Sequence, residues 1–332
     1  MAILMPQDPD RAAGPMPVIS IIIPVYNRQD YIGDCIRSIA AVGDLPAEII
    51  VIDDGSADES VMRARAAIAE TGLGDRARVV TQTNGGPGSA RNHGASLARG
   101  EWLVFLDSDD LWQPWTVGIL TANLAAADRS LEMCIFRIEE FSVPSDLEAF
   151  PNGEVHFIDH VSFLAAISDP RHLRLRYGSC NAAVRRRSFE EQGGFSTSLR
   201  CAEDTDLFLR VAGPTRIITE PVMAGLRRAD HGSLSGHAPS VVEGFRWMAA
   251  ANAGGRYRGD PEERKAFLAS SCAYSIRMAF AAGWPLMAYD LYFRNIPLLF
   301  NRKTRRFLWR LPLTPVMHYR NPKSYPFKLR PS

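Results

Sequence analysis

The sequence predicts an α/β fold: a Rossmann-like, mostly parallel sheet flanked by helices, followed by a helical C-terminal extension. Two observations carry this. Short apolar runs rich in β-branched residues alternate four times with segments of helical periodicity, and that alternation means a parallel sheet with right-handed crossovers. Beyond about Pro239 the strand pattern stops and the chain reads as wholly helical. A third observation locates function. Tyr26-Asn27, Asp53-Asp54 and Asp107-Ser-Asp-Asp110 fall at strand ends, and open parallel sheets bind ligands beyond the carboxyl ends of their strands. Asn and Asp are also ordinary turn residues, but three such clusters share one edge.

Residues 1–17 hold four prolines and no periodicity, and read as a loose leader. Val18–Pro24 is a near-continuous apolar run, the pattern of a strand buried on both faces. Tyr31, Cys35, Ile36 and Ile39 recur at helical spacing between Asp30 and about Val42. Glu48–Ile52 is a second buried strand. Asp58 is placed to cap the next helix, which runs to about Thr71. Arg78–Thr81 is a third strand. A glycine-rich turn at Gly85–Gly88 opens a helix reaching about Ala98, and Trp102–Leu106 is the fourth strand. Farther on, Met133–Ile138 and Cys180–Val184 read as strands and Asp204–Val211 as a helix. Asp260-Pro-Glu-Glu263 supplies an N-cap, a proline at the first helical position and a Glu three residues after the cap. Its helix should run to about Ala282, ended by Gly283 and Pro285.

Length and composition fit one large α/β unit with an appendage. Of 332 residues 46% are apolar and 23% charged, enough to bury a sizeable core. The net charge of +1 hides an asymmetry: Asn301–Ser332 holds nine Lys or Arg and no acid. Five cysteines without a C-x-x-C pair predict reduced thiols and a cytoplasmic location. No signal peptide is visible, and no apolar run reaches the roughly 20 residues that span a bilayer.

Asp107, Asp109 and Asp110 are the sharpest chemical signal. Three carboxylates within four residues repel one another unless something positive sits between them. After a buried strand they form a hard oxygen site suited to Mg²⁺ or Mn²⁺, its shell completed by substrate phosphates. Arg91, at the start of a helix, suits an anion. The turn Pro24-Val-Tyr-Asn-Arg28 is neither a G-x-G-x-x-G nor a P-loop, which counts against a dinucleotide-dependent dehydrogenase and a P-loop NTPase.

Val18–Asn27, Asp53-Asp-Gly-Ser56, Asn84–Asn92 and Phe105-Leu-Asp-Ser-Asp-Asp110, in this order and spacing, resemble the successive signatures of family 2 glycosyltransferases. The resemblance covers roughly residues 18–235 and implies the GT-A fold, an inverting reaction and a nucleotide-sugar donor. It implies that Asp107 and Asp109 match the D-x-D motif, binding the metal and the donor's ribose and diphosphate, with Ser108 between them. Asp54, with Asp53 beside it, matches the nucleobase contact. Pro24 and Tyr26, with Asn27 beside them, match the wall of the nucleoside pocket, and Arg91 a donor-side arginine. Glu203-Asp204 matches the acceptor-half motif in which the Asp is general base, with Glu203 or Asp206 next in line. The same two acids would also suit a plain helix N-terminus. His231, in Arg227–Ser235, matches a further metal ligand or diphosphate contact.

The domain plan that follows is a leader at 1–17, a GT-A domain at 18–238 and a basic helical extension at 239–332. The GT-A domain divides into a nucleotide-sugar half (18–132) and an acceptor half (133–238). The implied cofactor is a divalent cation, Mn²⁺ or Mg²⁺. The implied partners are a nucleotide-sugar, most often a UDP-sugar, and a glycan or lipid-linked acceptor in cell-surface polysaccharide or glycolipid assembly. No nucleic acid is expected. Cations interleaved with Phe307, Leu308 and Trp309 in the tail suggest peripheral contact at the inner face of an anionic membrane. Two other readings stand beside this one: a sugar nucleotidyltransferase, which would want a basic glycine-rich loop after the first strand, and a non-catalytic nucleotide-sugar-binding module.

Overall fold

The computed structural model describes residues 17–40, 47–172, 176–227 and 237–300. The leader up to residue 16, His231 and the basic tail from 301 onward lie outside the described residues.

The first half alternates as the sequence predicts. Strands β1 (Ile19–Val25), β2 (Ala47–Asp53), β3 (Ala77–Thr81) and β4 (Trp102–Phe105) are separated by helices α1 (Ile32–Ala40), α2 (Ser60–Glu70) and α3 (Pro87–Leu97). Then come β5 (Leu111–Trp112), α4 (Thr116–Ala125), β6 (Met133–Phe136), β7 (Ile138–Phe141), β8 (His156–His160), α5 (Phe163–Ser168), β9 (Ala182–Arg185), α6 (Arg186–Glu191), α7 (Glu203–Val211), β10 (Thr215–Glu220) and β11 (Ala224–Arg227). Helices α8 (Ala238–Ala253), α9 (Pro261–Ala281), α10 (Pro285–Arg294) and α11 (Ile296–Leu299) complete the described chain.

Eight strands form the central sheet in the order β3-β2-β1-β4-β9-β6-β10-β8. It is mostly parallel; β9 and the edge strand β8 run against their neighbours. Helices cover both faces. Ile19, Ile21 and Ile23 of β1 pack with Ile32 and Ile36 of α1, while Ile22 joins Ile50, Ile52 and Ala90 on the opposite face. That two-sided burial is why β1 is a continuous apolar run with no polar face.

Gly94 sets how closely α3 lies on the sheet. A Cβ at this position would come within 2.4 Å of the Ile22 side chain. Only glycine allows that approach, and it carries Arg91, one turn earlier, to the carboxyl edge of the sheet.

Several details depart from the sequence expectation. Helix α1 starts at Ile32, because Arg28–Tyr31 forms a turn whose Arg28 carbonyl accepts from the Tyr31 and Ile32 N–H groups. Asp58 does not cap α2, which has Glu59 at its N-cap. Its carboxylate instead accepts from the Ser60 N–H and from the Gln29 N–H, tying the first two βα turns together. A second sheet, β5-β11-β7, went unpredicted. Asp260 caps α9 as expected, accepting from the N–H groups of Glu262 and Glu263 at 2.9 Å each.

Asp206 holds the C-terminal helices to the sheet domain. It is fully buried in α7, paired with Arg210 at 2.8 Å, and it accepts from Trp247 Nε1 at 3.1 Å and Tyr257 Oη at 2.8 Å. Arg210 in turn donates to the carbonyls of Gln192 and Gly194. Asp206→Ala leaves that guanidinium buried without its counter-charge, so it should cost about 3–5 kcal/mol. Urea melts would read this directly; a loss under about 1 kcal/mol would show that the pair is dispensable.

Candidate active site

The strand-end residues meet at the carboxyl edge of β1, β2 and β4. Pro24 is half-buried at the end of β1, and the Tyr26 ring beyond it is 48% exposed. Asn27 adopts φ 50°, a left-handed conformation that Asn tolerates better than most residues. Its N–H donates to Ser56 Oγ at 3.0 Å and its Oδ1 accepts from the Ala57 N–H at 2.9 Å. Asp53 is buried and accepts from the Ser56 N–H. Asp54 is buried and clamps the entrance to α3: Oδ1 accepts from Gly85 N–H and Gln82 Nε2, and Oδ2 from Gly86 N–H, all at 2.8 Å. Gly86 has φ 85°, which glycine reaches without strain.

Arg91 links the two halves of the edge. It is 4% exposed. One Nη donates to Asp107 Oδ1 at 2.7 Å and the other to Glu203 Oε1 at 2.9 Å. Burial works against its charge, but Asp107 and Glu203 outweigh that and raise its pKa. Phe195 lies against the guanidinium at 5.4 Å, and the Nε–H has no hydrogen-bond partner among the described residues.

The acidic loop after β4 is positioned by the unpredicted second sheet. Asp110 is buried and its Oδ1 accepts from the Arg227 N–H of β11 at 2.8 Å. Arg227 Nε donates to the Asp109 carbonyl at 3.0 Å, and its guanidinium lies over the rings of Tyr31 and Phe141. The Asp109 carboxylate faces Arg28 at 3.5 Å. Ser108 is buried between the exposed edges of Asp107 and Asp109, each about one-third accessible. Burial and then Asp107 raise the pKa of Asp109. Arg28 was not singled out as a site residue on sequence grounds; its place beside Asp109 follows from loop geometry alone.

These residues fit a divalent cation. Asp110 Oδ2 is buried with no hydrogen-bond partner among the described residues. An oxygen of Asp107, an oxygen of Asp110 and Cys180 Sγ lie within 4.8 Å of one another. Burial, then the nearby acids, push the Cys180 thiol well above its usual range, and the carboxylate oxygens are the hard donors that Mg²⁺ or Mn²⁺ takes. A second cluster, His160, Asp169 and His172, is remote from this site. His160 pairs with Thr215 at the opposite end of the sheet, and Asp169 is bonded to Arg171.

Glu203 and Asp204 open α7. Asp204 accepts from the Thr205 N–H at 2.6 Å and the Ser179 N–H at 3.3 Å. A cavity of about 370 Å³ lined by Tyr177, Gly178 and Cys180 lies on this side of the site. Asp206, by contrast, is sealed in its buried network and cannot serve as a reserve base. Burial and the neighbouring Asp204 charge push Glu203 up to about 7, against the pull of Arg91.

The sequence pattern of the family described as Glycosyl transferase family 2 matches residues 20–193, just over half of the chain. The chain belongs to glycosyl transferase family 2. This family 2 member is 33% identical over 211 residues to the succinoglycan biosynthesis protein ExoU of Rhizobium meliloti, covering 60% of this chain and 58% of that one. It is 40% identical over 100 residues to the putative glycosyltransferase EpsH of Bacillus subtilis, covering 30% and 28%. The match thus spans less than two thirds of either curated relative. The family 2 fold is of the GT-A type. It resembles that of S. aureus TarS residues 1–349 in complex with UDP-GlcNAc, with a TM-score of 0.63 at 18% identity over 94% of both chains. The mannosyltransferase PcManGT from Pyrobaculum calidifontis, in complex with GDP-Man and Mn²⁺, has a TM-score of 0.53 at 20% identity, covering 93% of this chain and 88% of that one.

Glu203 carries a pH prediction. The folded chain holds its proton up to about pH 7, whereas an unfolded chain releases it in the ordinary carboxylate range. Its stabilisation is therefore full below that range and is lost as the pH rises through about 7. The melting temperature should fall between about pH 5 and pH 8, and Glu203→Gln should flatten that part of the slope. An unchanged slope in the variant would assign the titration elsewhere.

Proposed function

We propose that this chain is an inverting, divalent-cation-dependent glycosyltransferase. It moves a sugar from a nucleoside diphosphate sugar, a UDP-sugar, to an acceptor hydroxyl on a glycan or lipid-linked glycan in polysaccharide or glycolipid assembly. The observation that carries this reading is the Arg91 bridge, which sets Asp107 of the donor motif beside Glu203-Asp204 of the acceptor motif. The UDP-GlcNAc of the TarS structure and the GDP-Man and Mn²⁺ of PcManGT belong to the same ligand chemistry, and the relative ExoU is named for succinoglycan biosynthesis.

Asp107 and Asp109 would hold the cation, with Asp110 behind them; when bound, it supplies positive charge that offsets the donor's diphosphate. His231 is a further candidate ligand or diphosphate contact. Tyr26, Pro24 and Asn27 are assigned to the nucleoside side, with Asp53 and Asp54 beneath them. Arg91 adds a fixed positive charge next to Asp107. The Asp204 carboxylate takes the proton of the acceptor hydroxyl as that oxygen attacks the anomeric carbon. The acceptor oxygen–carbon bond forms while the carbon–phosphate oxygen bond breaks on the opposite face, and the nucleoside diphosphate leaves. One such displacement inverts the anomeric centre.

Two variants separate the assigned roles. Asp109→Ala should abolish Mn²⁺-dependent nucleotide binding by calorimetry. Asp204→Asn should bind nucleotide normally while transfer, read as nucleoside diphosphate release with acceptor, falls by roughly 10²–10⁴-fold. Normal nucleotide binding by the first variant, or near-normal transfer by the second, would overturn the corresponding role. Product stereochemistry is an independent check: an α-linked donor should give a β-linked product by proton NMR, and an α-linked product would rule out the single displacement.

A further inference from the structure

Helices α10 and α11 have two apolar faces. Ala288, Leu291, Tyr292 and Leu299 are buried against Cys272 and Ile276 of α9 and Phe245 of α8. On the other side Leu286 is 86% exposed, Phe293 65% and Phe300 73%, with Trp284 and Ile296 also exposed. Leu286, Tyr289 and Phe293 follow at i, i+3 and i+7, so they lie along one side of α10. The Tyr289 and Phe293 rings stack with centroids 6.2 Å apart. Ile296 and Phe300 continue the same spacing past the break at Asn295. A surface helix ordinarily turns charged and polar residues to water; a contiguous apolar stripe marks an interaction surface.

Charge identifies the partner. From Gly283 to Ser332 the only acid is Asp290, and its carboxylate is bonded to Arg246 at 3.0 Å and to Arg294 at 2.5 Å. The stripe leads directly into Asn301–Ser332, with its nine Lys or Arg. Apolar and aromatic side chains adjoining many cations match an anionic bilayer, where cations meet the headgroups and the apolar groups enter the acyl boundary. Trp284 and Tyr289 are the residue types that favour that depth. A nucleic acid would engage the cations but offers nothing to Leu286 or Ile296. No helix among the described residues is long and apolar enough to cross a membrane, and a one-sided stripe suits a segment that lies on a bilayer.

We propose that the outward stripe of α10–α11 is a docking surface for an anionic lipid bilayer. It lies outside the acidic edge of the sheet and does not depend on the reaction proposed above.

Vesicle co-sedimentation of the full chain tests it. The chain should sediment with phosphatidylcholine vesicles containing about 30 mol % phosphatidylglycerol and bind pure phosphatidylcholine at least about tenfold more weakly. Salt at about 0.5 M should release it. A Leu286→Ser/Phe293→Ser/Phe300→Ser variant, and separately an Arg302→Gln/Lys303→Gln/Arg305→Gln/Arg306→Gln variant, should each bind at least roughly tenfold more weakly. Both should keep the parent melting temperature and nucleotide affinity. A chain that ignores anionic vesicles at low salt, or a stripe variant that binds as the parent does, overturns the proposal. So does a parent dimer that the stripe variant splits, since a second copy would then be the occupant. Should the triple variant misfold, Leu286→Cys labelled with a polarity-sensitive dye gives the same answer. Anionic vesicles should shift its emission to the blue, and an unshifted spectrum overturns the docking surface.

Discussion

One buried guanidinium makes the candidate site a single object. Arg91 comes from a helix packed on the first two strands, Asp107 from the end of the fourth and Glu203 from the start of α7. A buried arginine left unpaired is costly by several kcal/mol, so the fold is held to arrangements that keep both carboxylates beside it. The converse also holds. Asp107, Asp109, Asp110, Glu203 and Asp204 crowd one edge, and Arg91, Arg28 and Arg227 only partly balance them. Burial first, and then the surplus negative charge, raises the pKa values of both Asp109 and Glu203. It also means that a cation can bind there by relieving repulsion already present.

The sequence makes some parts of this site legible and hides others. β1 and β4 are readable because burial on both faces excludes polar residues from them. Asp107 and Asp109 are readable because their spacing after an apolar run has few structural uses. The second sheet is not. Its β5 has two residues and its β11 four, too short for any period to show. The Asp110–Arg227 contact runs through a backbone N–H, which any residue but proline could supply. Asp54 is a related case. Its position invites assignment to the nucleobase, but its oxygens are engaged by N–H groups of Gly85 and Gly86, so it also shapes the turn that launches Arg91. Asp206 sits two residues from Asp204 and is chemically its twin. Only the return of Trp247 and Tyr257, 41 and 51 residues later, separates their roles.

Helix α8 reaches the same region from behind. Ala202, just before Glu203, has φ 66°, a left-handed conformation that costs an L-residue roughly 1–2 kcal/mol. A Cβ at Gly244 of α8 would come within 2.9 Å of the Cys201 carbonyl, so α8 lies directly on this strained turn. Burial on the α8 side offsets the strain and fixes the direction in which Glu203 and Asp204 leave the backbone.

The Asp206 network therefore limits how this chain can be recombined. Its donors lie in α8 and in the loop before α9, and its acceptor lies in the helix that carries Asp204. A chimera joined between β11 and α8, taking its C-terminal helices from another family member, would leave Asp206 and Arg210 facing foreign side chains. The seam that preserves the network lies upstream of α7, so specificity carried by Glu203-Asp204 and the helices behind it would be inherited as one block.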